Sequence, residues 1–516
     1  MNNSEFQYSN NGYLPQKPEK EFSLVETVLA LIVFVIGYLI SSLIIFASNG
    51  AGLGAFVILF IIAVLSLVYL KIKKTEIAKF EYFRLAVILI LALPLLLSSN
   101  GFINFLVLSY AGISFVYWFF CASGNREEKK IDGMLFFDLI KSALILPFSC
   151  FIDIFLAIGK SVKKTSSGKK VLMACLGILI AIVPCAVVTV LLLNADDAFA
   201  NLTGKIFDKF YLIPENIFYF LFGVPIAMYI FGMLYANATH EKTDLMTREK
   251  NERAASALRF LPVILTCSVI IPLLIVYALF FFSQTSYFLS AFSGIRPENI
   301  TYAEYARKGF FELSAVSVIN MIIIIAAAVF TKRSDGKRHK AVKTCVIILS
   351  VFTLALIAIA MSKMFMYIDA YGLSLLRIYT TWFMALLAFV FVFVIIKQAA
   401  ERFNFARSLV IVFTIMFAML IFSDADALTA KYNVERYKSG DLGSVDISMM
   451  YELSDSAVKY VVPLASDDDP VVAEEAKKYL ECKKLEYEYR DNGFADFNFS
   501  TYGAQKAVED YFKSAK

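Results

Sequence analysis

The chain has 516 residues, of which 59% are hydrophobic and only 18% are charged, and its formal net charge is +5. Soluble globular proteins have about 45–50% apolar and about 25% charged residues, so this composition excludes an ordinary soluble globule. The charge is uneven, because residues 424–516 hold twelve Lys and Arg against nineteen Asp and Glu, a net charge of −7.

The apolar residues occur in runs of about 17 to 25, which is the length that a helix needs to cross the hydrocarbon of a bilayer. These runs lack the alternation of membrane-barrel strands, so the sequence predicts an all-α, polytopic transmembrane helical bundle of about eleven spans. In chain order the predicted spans are 25–47, 52–70, 83–97, 102–120, 171–193, 216–235, 261–282, 314–330, 341–362, 378–396 and 408–422.

The segment 134–159 is apolar enough to cross, but it carries a polar face. At 100° per residue, one side of its helix holds the following polar residues: Asp138, Lys141, Ser142, Ser149, Asp153 and Lys160. Both flanks are rich in lysine, and a crossing here would move every later basic loop to the outside. We therefore predict an amphipathic helix, interfacial or re-entrant, on the cytoplasmic face.

The Lys and Arg residues between the spans set the orientation. Basic residues concentrate in the loops that would face the cytoplasm, such as Lys332–Lys343. The predicted chain has a cytoplasmic N-terminus and an extracytoplasmic C-terminus. Its divisions are a disordered N-terminus (1–24), a four-span region (25–133), the interfacial helix with a basic loop (134–170), a bundle of about seven spans (171–423) and a helical extracytoplasmic tail (424–516).

The tail shows the signals of helix starts. Asp469 and Pro470, followed by Glu474, are typical of a helix N-terminus, and the helix can run to about Arg490. Ser500 is predicted to cap a last helix over 501–512, and a shorter helix is predicted over 455–464.

With this topology, unusual polar residues collect at the outer membrane boundary. The candidate ligand-binding residues are Asp196, Asp197, Glu304, Arg307, Glu312, Asp369, Arg377, Asp424, Asp426 and Asn433. In one interpretation they share an exterior-facing pocket for an ion, a headgroup or a peptide. In the other, they cap helix ends and form structural ion pairs. Glu312 lies deepest, so Arg307, Lys308 or Arg377 is expected within reach of it.

Other chemistry has little support in the sequence. The seven cysteines show no CxxC spacing, and the two histidines, His240 and His339, fall in predicted cytoplasmic loops. We therefore expect neither a disulfide framework nor a zinc or histidine-based metal site, and no cofactor, although acids alone could still bind a hard cation. The basic loops are explained by orientation in the membrane, so nucleic acid is not an expected partner. The expected partners are the bilayer and an envelope ligand or membrane protein.

Several stretches resemble a known group of membrane proteins. They are TYAEYARKGFFEL (301–313), AYGLSLLRIY (370–379), SDADALTAKYNVERY (423–437), the SVDISMMYELSDSAV that follows, and NADDAF (194–199). From about residue 171 onward the chain resembles the bacterial domain-of-unknown-function group numbered 4153/4173. The resemblance implies a bacterial cytoplasmic-membrane protein without an established activity, and it implies that most of the candidate residues belong to one arrangement.

Three functions stay open from the sequence. The first is a sensor or accessory protein that binds an envelope ligand or partner through the exterior polar cluster. The second is a transporter, although the chain shows no inverted repeat and no acidic residue at mid-membrane. The third is a membrane enzyme that acts on a lipid-linked substrate, with Asp196 and Asp197 as base or metal ligands.

Overall fold

The structure is a computed structural model that describes residues 22–47, 50, 52–126, 131–158, 188–189, 192, 195–196, 199, 215–241, 247–283, 302–333, 339–490 and 493–514, without the side chains of 302–308. Within these residues the chain is helical, and the β-structure there is an isolated bridge between Leu261 and Thr331. The predicted all-α class is confirmed.

The membrane region is built from fifteen α-helices within the described residues. They are α1 (Leu24–Ile40), α2 (Leu53–Ile72), α3 (Lys79–Leu91), α4 (Pro94–Leu97), α5 (Gly101–Ala122), α6 (Leu135–Ile140), α7 (Leu146–Ser149), α8 (Asp153–Ile158), α9 (Glu215–Ala238), α10 (Arg248–Ala257), α11 (Val263–Ser283), α12 (Tyr302–Phe330), α13 (Lys340–Tyr371), α14 (Leu375–Ala399) and α15 (Phe405–Phe422).

Ten helical stretches among the described residues are long and apolar enough to cross a bilayer. They coincide with ten of the eleven predicted spans, which confirms a polytopic helical bundle. The remaining predicted span, 171–193, lies almost wholly outside the described residues, and so does the predicted disordered N-terminus up to residue 21. The span over Lys79–Leu97 is broken ahead of Pro94, whose ring cannot continue the hydrogen-bond ladder of α3.

The first half of the bundle packs around α1 and α9, which cross closely and run antiparallel. Their contact is possible because both helices present glycine where they meet. A Cβ on Gly223 would lie 2.8 Å from the backbone nitrogen of Tyr38, closer than a real Cβ approaches. Phe22 stacks near Tyr235 at the other end of the pair, with ring centroids 5.2 Å apart. Helix α9 falls within the predicted later bundle (171–423), but it packs in the core of the first half.

The second half has its own core, formed by side chains of α11, α12, α13 and α14. A third core joins the two halves, because residues of α2 to α5 pack there against residues of α15. Its buried members include Leu95, Val107, Phe417 and Leu420. Tyr110 stacks on Phe417 at 4.8 Å within this core. The described halves therefore share a continuous apolar contact.

The segment Leu135–Ile158 folds as α6, a π-turn over Lys141–Ile145, α7 and α8, and it is not among the ten spanning helices. Its polar face turns inward, since Lys141 and Ser142 are buried while Phe136 and Phe148 are exposed. This differs from a helix lying flat on the membrane, which would point its polar face to water. The inward polar face favours the re-entrant alternative, and the cytoplasmic placement stays a prediction.

The residues after α15 form a C-terminal helical domain, here residues 424–514, with a core of its own. Its helices are α16 (Ala425–Lys438), α17 (Ile447–Met450), α18 (Val458–Val461), α19 (Pro470–Tyr489) and α20 (Phe499–Ser514), with 3₁₀ turns at Asp455–Ala457, Val462–Ser466 and Phe494–Asp496. We call the end of the bundle that contacts this domain the domain side. That this side is extracytoplasmic stays a prediction.

The helix starts of the domain follow the sequence in one case and depart from it in another. Asp469 caps α19, and its carboxylate accepts from the Val471 N–H at 2.9 Å. The predicted cap of the last helix, Ser500, is wrong. Asn498 performs this role, because its side-chain oxygen accepts from the Thr501 N–H at 2.8 Å, and α20 begins at Phe499.

Candidate functional site

The candidate residues in the C-terminal domain connect that domain to the bundle. Asp426, in the first turn of α16, is 1% exposed. Its two carboxylate oxygens accept from Asn100 Nδ2 at 2.6 Å and from the Ser454 N–H at 2.8 Å. Asn100 lies between α4 and α5, so this carboxylate links the bundle to two separate parts of the domain.

The charge on Asp426 is poorly compensated. Burial raises the pKa of this carboxyl above its ordinary value, the hydrogen bonds from Ser454 and Asn100 offset part of that rise, and the nearby Asp424 adds to it. Among the described residues, neutral donors make the hydrogen bonds to its two oxygens. A buried carboxylate held by neutral donors is costly to keep ionised, so Asp426 in the docked domain binds a proton more readily than an exposed carboxyl does.

Asp424 shapes the turn that leads into α16. It adopts a left-handed conformation, with φ +46°, which Asp tolerates better than most residues. Its Oδ1 caps the helix by accepting from the Ala427 N–H at 3.2 Å, and it also accepts from Ser456 Oγ at 2.7 Å. Asp424 and Asp426 therefore both hold the loop 454–456 against the start of α16.

Asp455, which the sequence analysis did not select, is the most connected acid of the domain. It is 5% exposed and lies within 3.3 Å of both Lys483 Nζ and Arg490 Nη1. It also accepts from Tyr487 Oη at 2.9 Å and from Thr501 Oγ1 at 2.7 Å. Burial acts to raise the pKa of this carboxyl, but Lys483, Thr501, Tyr487 and Arg490 outweigh it and hold the pKa below its ordinary value.

The Asp455 cluster also reaches the bundle. The Asp455 N–H donates to Ser99 Oγ at 3.1 Å, and Ser99 Oγ lies 3.4 Å from Ser500 Oγ at the start of α20. The connection between α4 and α5 is thus held by Ser99 on one side and by Asn100 on the other. In the sequence, the SDSAV stretch that contains Asp455 was the available signal. The side-chain partners lie 28 to 46 residues further along the chain, and no pattern connects them to Asp455.

Asn433 fixes the connection between α13 and α14. Its side chain accepts from the Leu373 N–H at 2.7 Å and donates to the Leu373 carbonyl at 2.8 Å, as a neighbouring strand would. Gly372 packs directly against this amide with φ +76°, a conformation that favours glycine. Asn433 is 6% exposed, and both the oxygen and the NH₂ group of its side-chain amide are used in this contact.

Arg377 and Asp369 lie on either side of the same connection. Arg377 donates to the carbonyls of Tyr371 and Gly372, and its guanidinium lies 4.0 Å from the ring centroid of Tyr367. Asp369 pairs with Arg436 of α16 at 3.0 Å. Arg377, Asp369 and Asn433 therefore surround one connection, and their assignment to a shared binding site with the other candidates stays a prediction.

Glu312 has an electrostatic partner, Lys363, that was not among the partners predicted from the sequence. Its carboxylate accepts from the Gly309 N–H at 2.6 Å and interacts electrostatically with Lys363 of α13. The expected partner Arg377 instead binds the α13–α14 connection. The other expected partners, Arg307 and Lys308, lie among the side chains that are not described, as does the candidate Glu304.

The predicted acidic loop after residue 193 is described only in part. Asp196 is exposed, and its carboxylate accepts from the Phe199 N–H at 3.3 Å. Asp197 lies outside the described residues. Their assignment as ligand-binding or catalytic groups stays a prediction.

A cavity of about 460 Å³ lies where the C-terminal domain meets the bundle. The bundle contributes Leu53, the first residue of α2, and the domain contributes the other lining residues: Arg490, Gly493, Phe494, Asp496, Phe497, Asn498, Thr501, Tyr502 and Gln505. The exposed surface of the wall is mostly aromatic and apolar, and its polar part has the Arg490 guanidinium, the Asp496 carboxylate and several neutral hydrogen-bonding groups. Cavities that bind amphiphilic small molecules combine these features. None of the predicted site residues lines this cavity.

A second group of chemically active side chains lies on the opposite side of the bundle. Ligand atoms of Cys150, Asp153 and Glu241 all lie within 4.8 Å of one another, and Cys150 Sγ is 3.3 Å from Glu241 Oε2. His240 is adjacent, but its Nδ1 lies 2.5 Å from Asn125 Oδ1. Acidic groups commonly lie this close together without a metal, and we assign none to this group.

The comparisons with known proteins agree with the resemblance found in the sequence. The family described as a domain of unknown function (DUF4153) matches residues 85–464, so the match begins in α3, earlier than the resemblance, and ends within the C-terminal domain. No curated protein and no solved structure matches the chain. Because the match covers more than half of its length, the chain belongs to the DUF4153 family of proteins.

Proposed function

We propose that this integral membrane protein is a sensor or accessory protein that binds an envelope ligand in the cavity between its C-terminal domain and α2. The cavity is the observation that carries the proposal. It offers about 460 Å³ of space lined by Phe494, Phe497 and Tyr502, with Arg490, Asp496 and Thr501 among its polar groups. Its walls suit a molecule with an apolar body and a hydrogen-bonding polar group.

The attachment of the domain supports a sensing role. Arg490 and Thr501 line the cavity and also bind Asp455, whose backbone contacts Ser99 of the bundle. A ligand that competes for the Arg490 guanidinium would weaken this cluster. Occupation of the cavity would then change how firmly the domain is docked, which is a differential interaction that a sensor requires.

The alternatives are a transporter and an enzyme that acts on a lipid-linked substrate. The transport hypothesis predicts an open path beneath the outer cluster, whereas Phe310 and Phe311 beneath it would close that path. Phe310 is 1% exposed and Phe311 is 48% exposed, so one of the two side chains faces the interior. The enzyme hypothesis depends on Asp196 and Asp197, and both alternatives stay predictions.

The test is to fill the cavity. Gln505→Trp places a large side chain on the cavity wall, and Lys506→Trp places the same side chain on the neighbouring exposed position of α20. The protein is purified gently, and the co-purifying small molecules and lipids are identified by mass spectrometry. We expect one class of amphiphile to be retained by the parent and by Lys506→Trp and lost from Gln505→Trp. Equal retention by both variants would refute the proposal.

A further inference from the structure

The surface around the cavity mouth has an unusual concentration of exposed aromatic side chains. Phe494, Phe499 and Tyr502 are 75%, 58% and 58% exposed, and Phe497 beside them is 37% exposed. Phe497 lies at the centre, with ring centroids 5.3 Å from Phe499 and 6.2 Å from Tyr502. We call these four residues the aromatic edge. A contiguous exposed patch of this kind marks a contact with something other than water.

The backbone of the aromatic edge is fixed at the membrane boundary. Helix α2 has 20 residues with a mean hydropathy of 2.9, so its rise of about 30 Å matches the hydrocarbon thickness and its first turn lies at the boundary. The Leu53 N–H donates to the Phe497 carbonyl at 2.9 Å. A Cβ on Gly52 would lie 2.7 Å from that same carbonyl oxygen, so only glycine allows this approach.

The lipid-facing surface of the bundle continues into the aromatic edge. Ser500, within the first turn of α20, contacts Ser99 between α4 and α5. On either side of that connection, Leu97, Phe102 and Phe105 are 47%, 52% and 64% exposed, as residues facing hydrocarbon are. Aromatic side chains are enriched where hydrocarbon gives way to headgroups, because an apolar ring and a polar rim are both accommodated there.

We propose that the aromatic edge is inserted into the headgroup–hydrocarbon interface of the leaflet on the domain side, so that the C-terminal domain is anchored to the lipid surface as well as to the bundle. The occupant of this surface is the bilayer itself, because the edge adjoins the boundary of α2 and continues the exposed apolar belt of α5. The far end of the domain differs, since Val471 is 64% exposed but follows three aspartates, Asp467 to Asp469.

Insertion has a consequence for the cavity, and this consequence alone rests on the proposed function. Phe494, Phe497 and Tyr502 belong both to the aromatic edge and to the cavity wall. A ligand that passes between them would come from the bilayer rather than from water. The ligand class would then be a membrane-resident amphiphile, with its polar group towards Arg490.

The experiment is photocrosslinking in the full-length protein reconstituted in phospholipid nanodiscs. The crosslinker p-benzoyl-phenylalanine replaces Phe494 or Phe499, which conserves an aromatic ring, and replaces Val471 as the control at the far end of α19. After irradiation, mass spectrometry of the protein identifies lipid adducts. We expect lipid adducts at positions 494 and 499 and none above background at position 471.

Two outcomes overturn the inference. If position 494 forms no lipid adduct, or no more than position 471, the edge is exposed to water. If irradiation of whole membranes yields adducts at 494 with a protein and not with lipid, the edge is a protein interface. Repeating the reaction with Gln505→Trp separates the two proposals, because insertion predicts an unchanged adduct at 494 whether or not the filled cavity loses its ligand.

Discussion

Asn100 Nδ2 donates a 2.6 Å hydrogen bond to Asp426 Oδ2, and this contact joins the membrane bundle to the first helix of the C-terminal domain. The orientation of the Asn100 amide is fixed, because its Oδ1 accepts from the Ile103 N–H at 2.9 Å. The NH₂ group of Asn100 therefore faces residue 426, and it can only donate a hydrogen bond there. The other carboxylate oxygen of Asp426 receives the Ser454 N–H, so the site requires an acceptor on both sides.

The first prediction follows from that requirement. Asp426→Asn removes a buried charge but places an amide NH₂ against one of two donors, so it should weaken docking by about 1–3 kcal/mol, the cost of an unsatisfied buried polar group. Hydrogen exchange of the 454–456 loop should accelerate. Asp446→Asn is the control, since its carboxylate makes only exposed local bonds. Unchanged exchange in Asp426→Asn would show that this contact does not hold the domain.

The second prediction concerns pH. The pKa of Asp426 is raised in the docked state, so its contribution to docking is present below the ordinary carboxyl pKa and is lost as the pH rises through the docked pKa. The pKa of Asp455 is lowered, so its contribution is present above the ordinary pKa and is lost as the pH falls through the folded pKa.

The two carboxyls therefore have opposite effects in an acid titration. As the pH falls, docking should first tighten through Asp426, and the domain should loosen only at lower pH through Asp455. Hydrogen exchange measured from about pH 3 to pH 7, around the ordinary carboxyl range, resolves the two steps. Asp426→Asn should abolish the first step alone. A single monotonic loss of protection in the parent would contradict this assignment.

The third prediction concerns the Asp455 cluster. Asp455→Asn removes the buried carboxylate that pairs with Lys483 and Arg490, and breaking a buried pair in this way costs about 3–5 kcal/mol. The C-terminal domain should unfold at a lower denaturant concentration, while the helices of the bundle keep their circular dichroism. Asp510→Asn, on the exposed face of α20, is the matched control and should change neither. Equal stability of the two variants would mean that the cluster contributes little.

The fourth prediction concerns the α13–α14 connection. Asn433→Ala leaves the buried N–H and carbonyl of Leu373 without partners, at a cost of about 1–3 kcal/mol. Gly372→Ala should also destabilise, because the backbone there has φ +76° and the new Cβ would meet the Asn433 amide. Thermal unfolding in detergent should show a lower midpoint for both variants. Gly443→Ala, in a turn with open space around it, should show no shift.

The spans were predictable because each is a long apolar run, and such runs have few alternatives in lipid. The start of α19 was equally predictable, since the N-cap Asp469 and Pro470 determine it through contacts within the first helical turn. The contact partners of the candidate residues could not be predicted from the sequence. Glu312 interacts with Lys363, 51 positions further along the chain, and such a pair depends on how two helices are packed.

The cavity could not be predicted from the sequence for a related reason. Its wall combines Leu53 with residues more than 400 positions later, which lie at the end of α19, around a 3₁₀ turn and in the first two turns of α20. The aromatic residues Phe494 to Tyr502 were visible in the sequence, but no prediction was made of their exposure. Their exposure is a property of packing that the pattern alone cannot give.

The central claim is that the C-terminal domain is docked on the bundle at the extracytoplasmic side. Ser99 Oγ and Ser500 Oγ lie 3.4 Å apart across that contact. The test is the double variant Ser99→Cys/Ser500→Cys with a protease site inserted at Gly443, where an added side chain meets open space. Each single variant, which retains the native cysteines, is the control.

In growing cells, the account predicts that the double variant forms a disulfide without added oxidant, because the extracytoplasmic side is oxidising. The two fragments left by protease cleavage should then migrate together until they are reduced, and those of the single variants should separate. Fragments of the double variant that separate without reduction, even after addition of an oxidant, would contradict the docked arrangement. A link that forms only with added oxidant would contradict the predicted orientation.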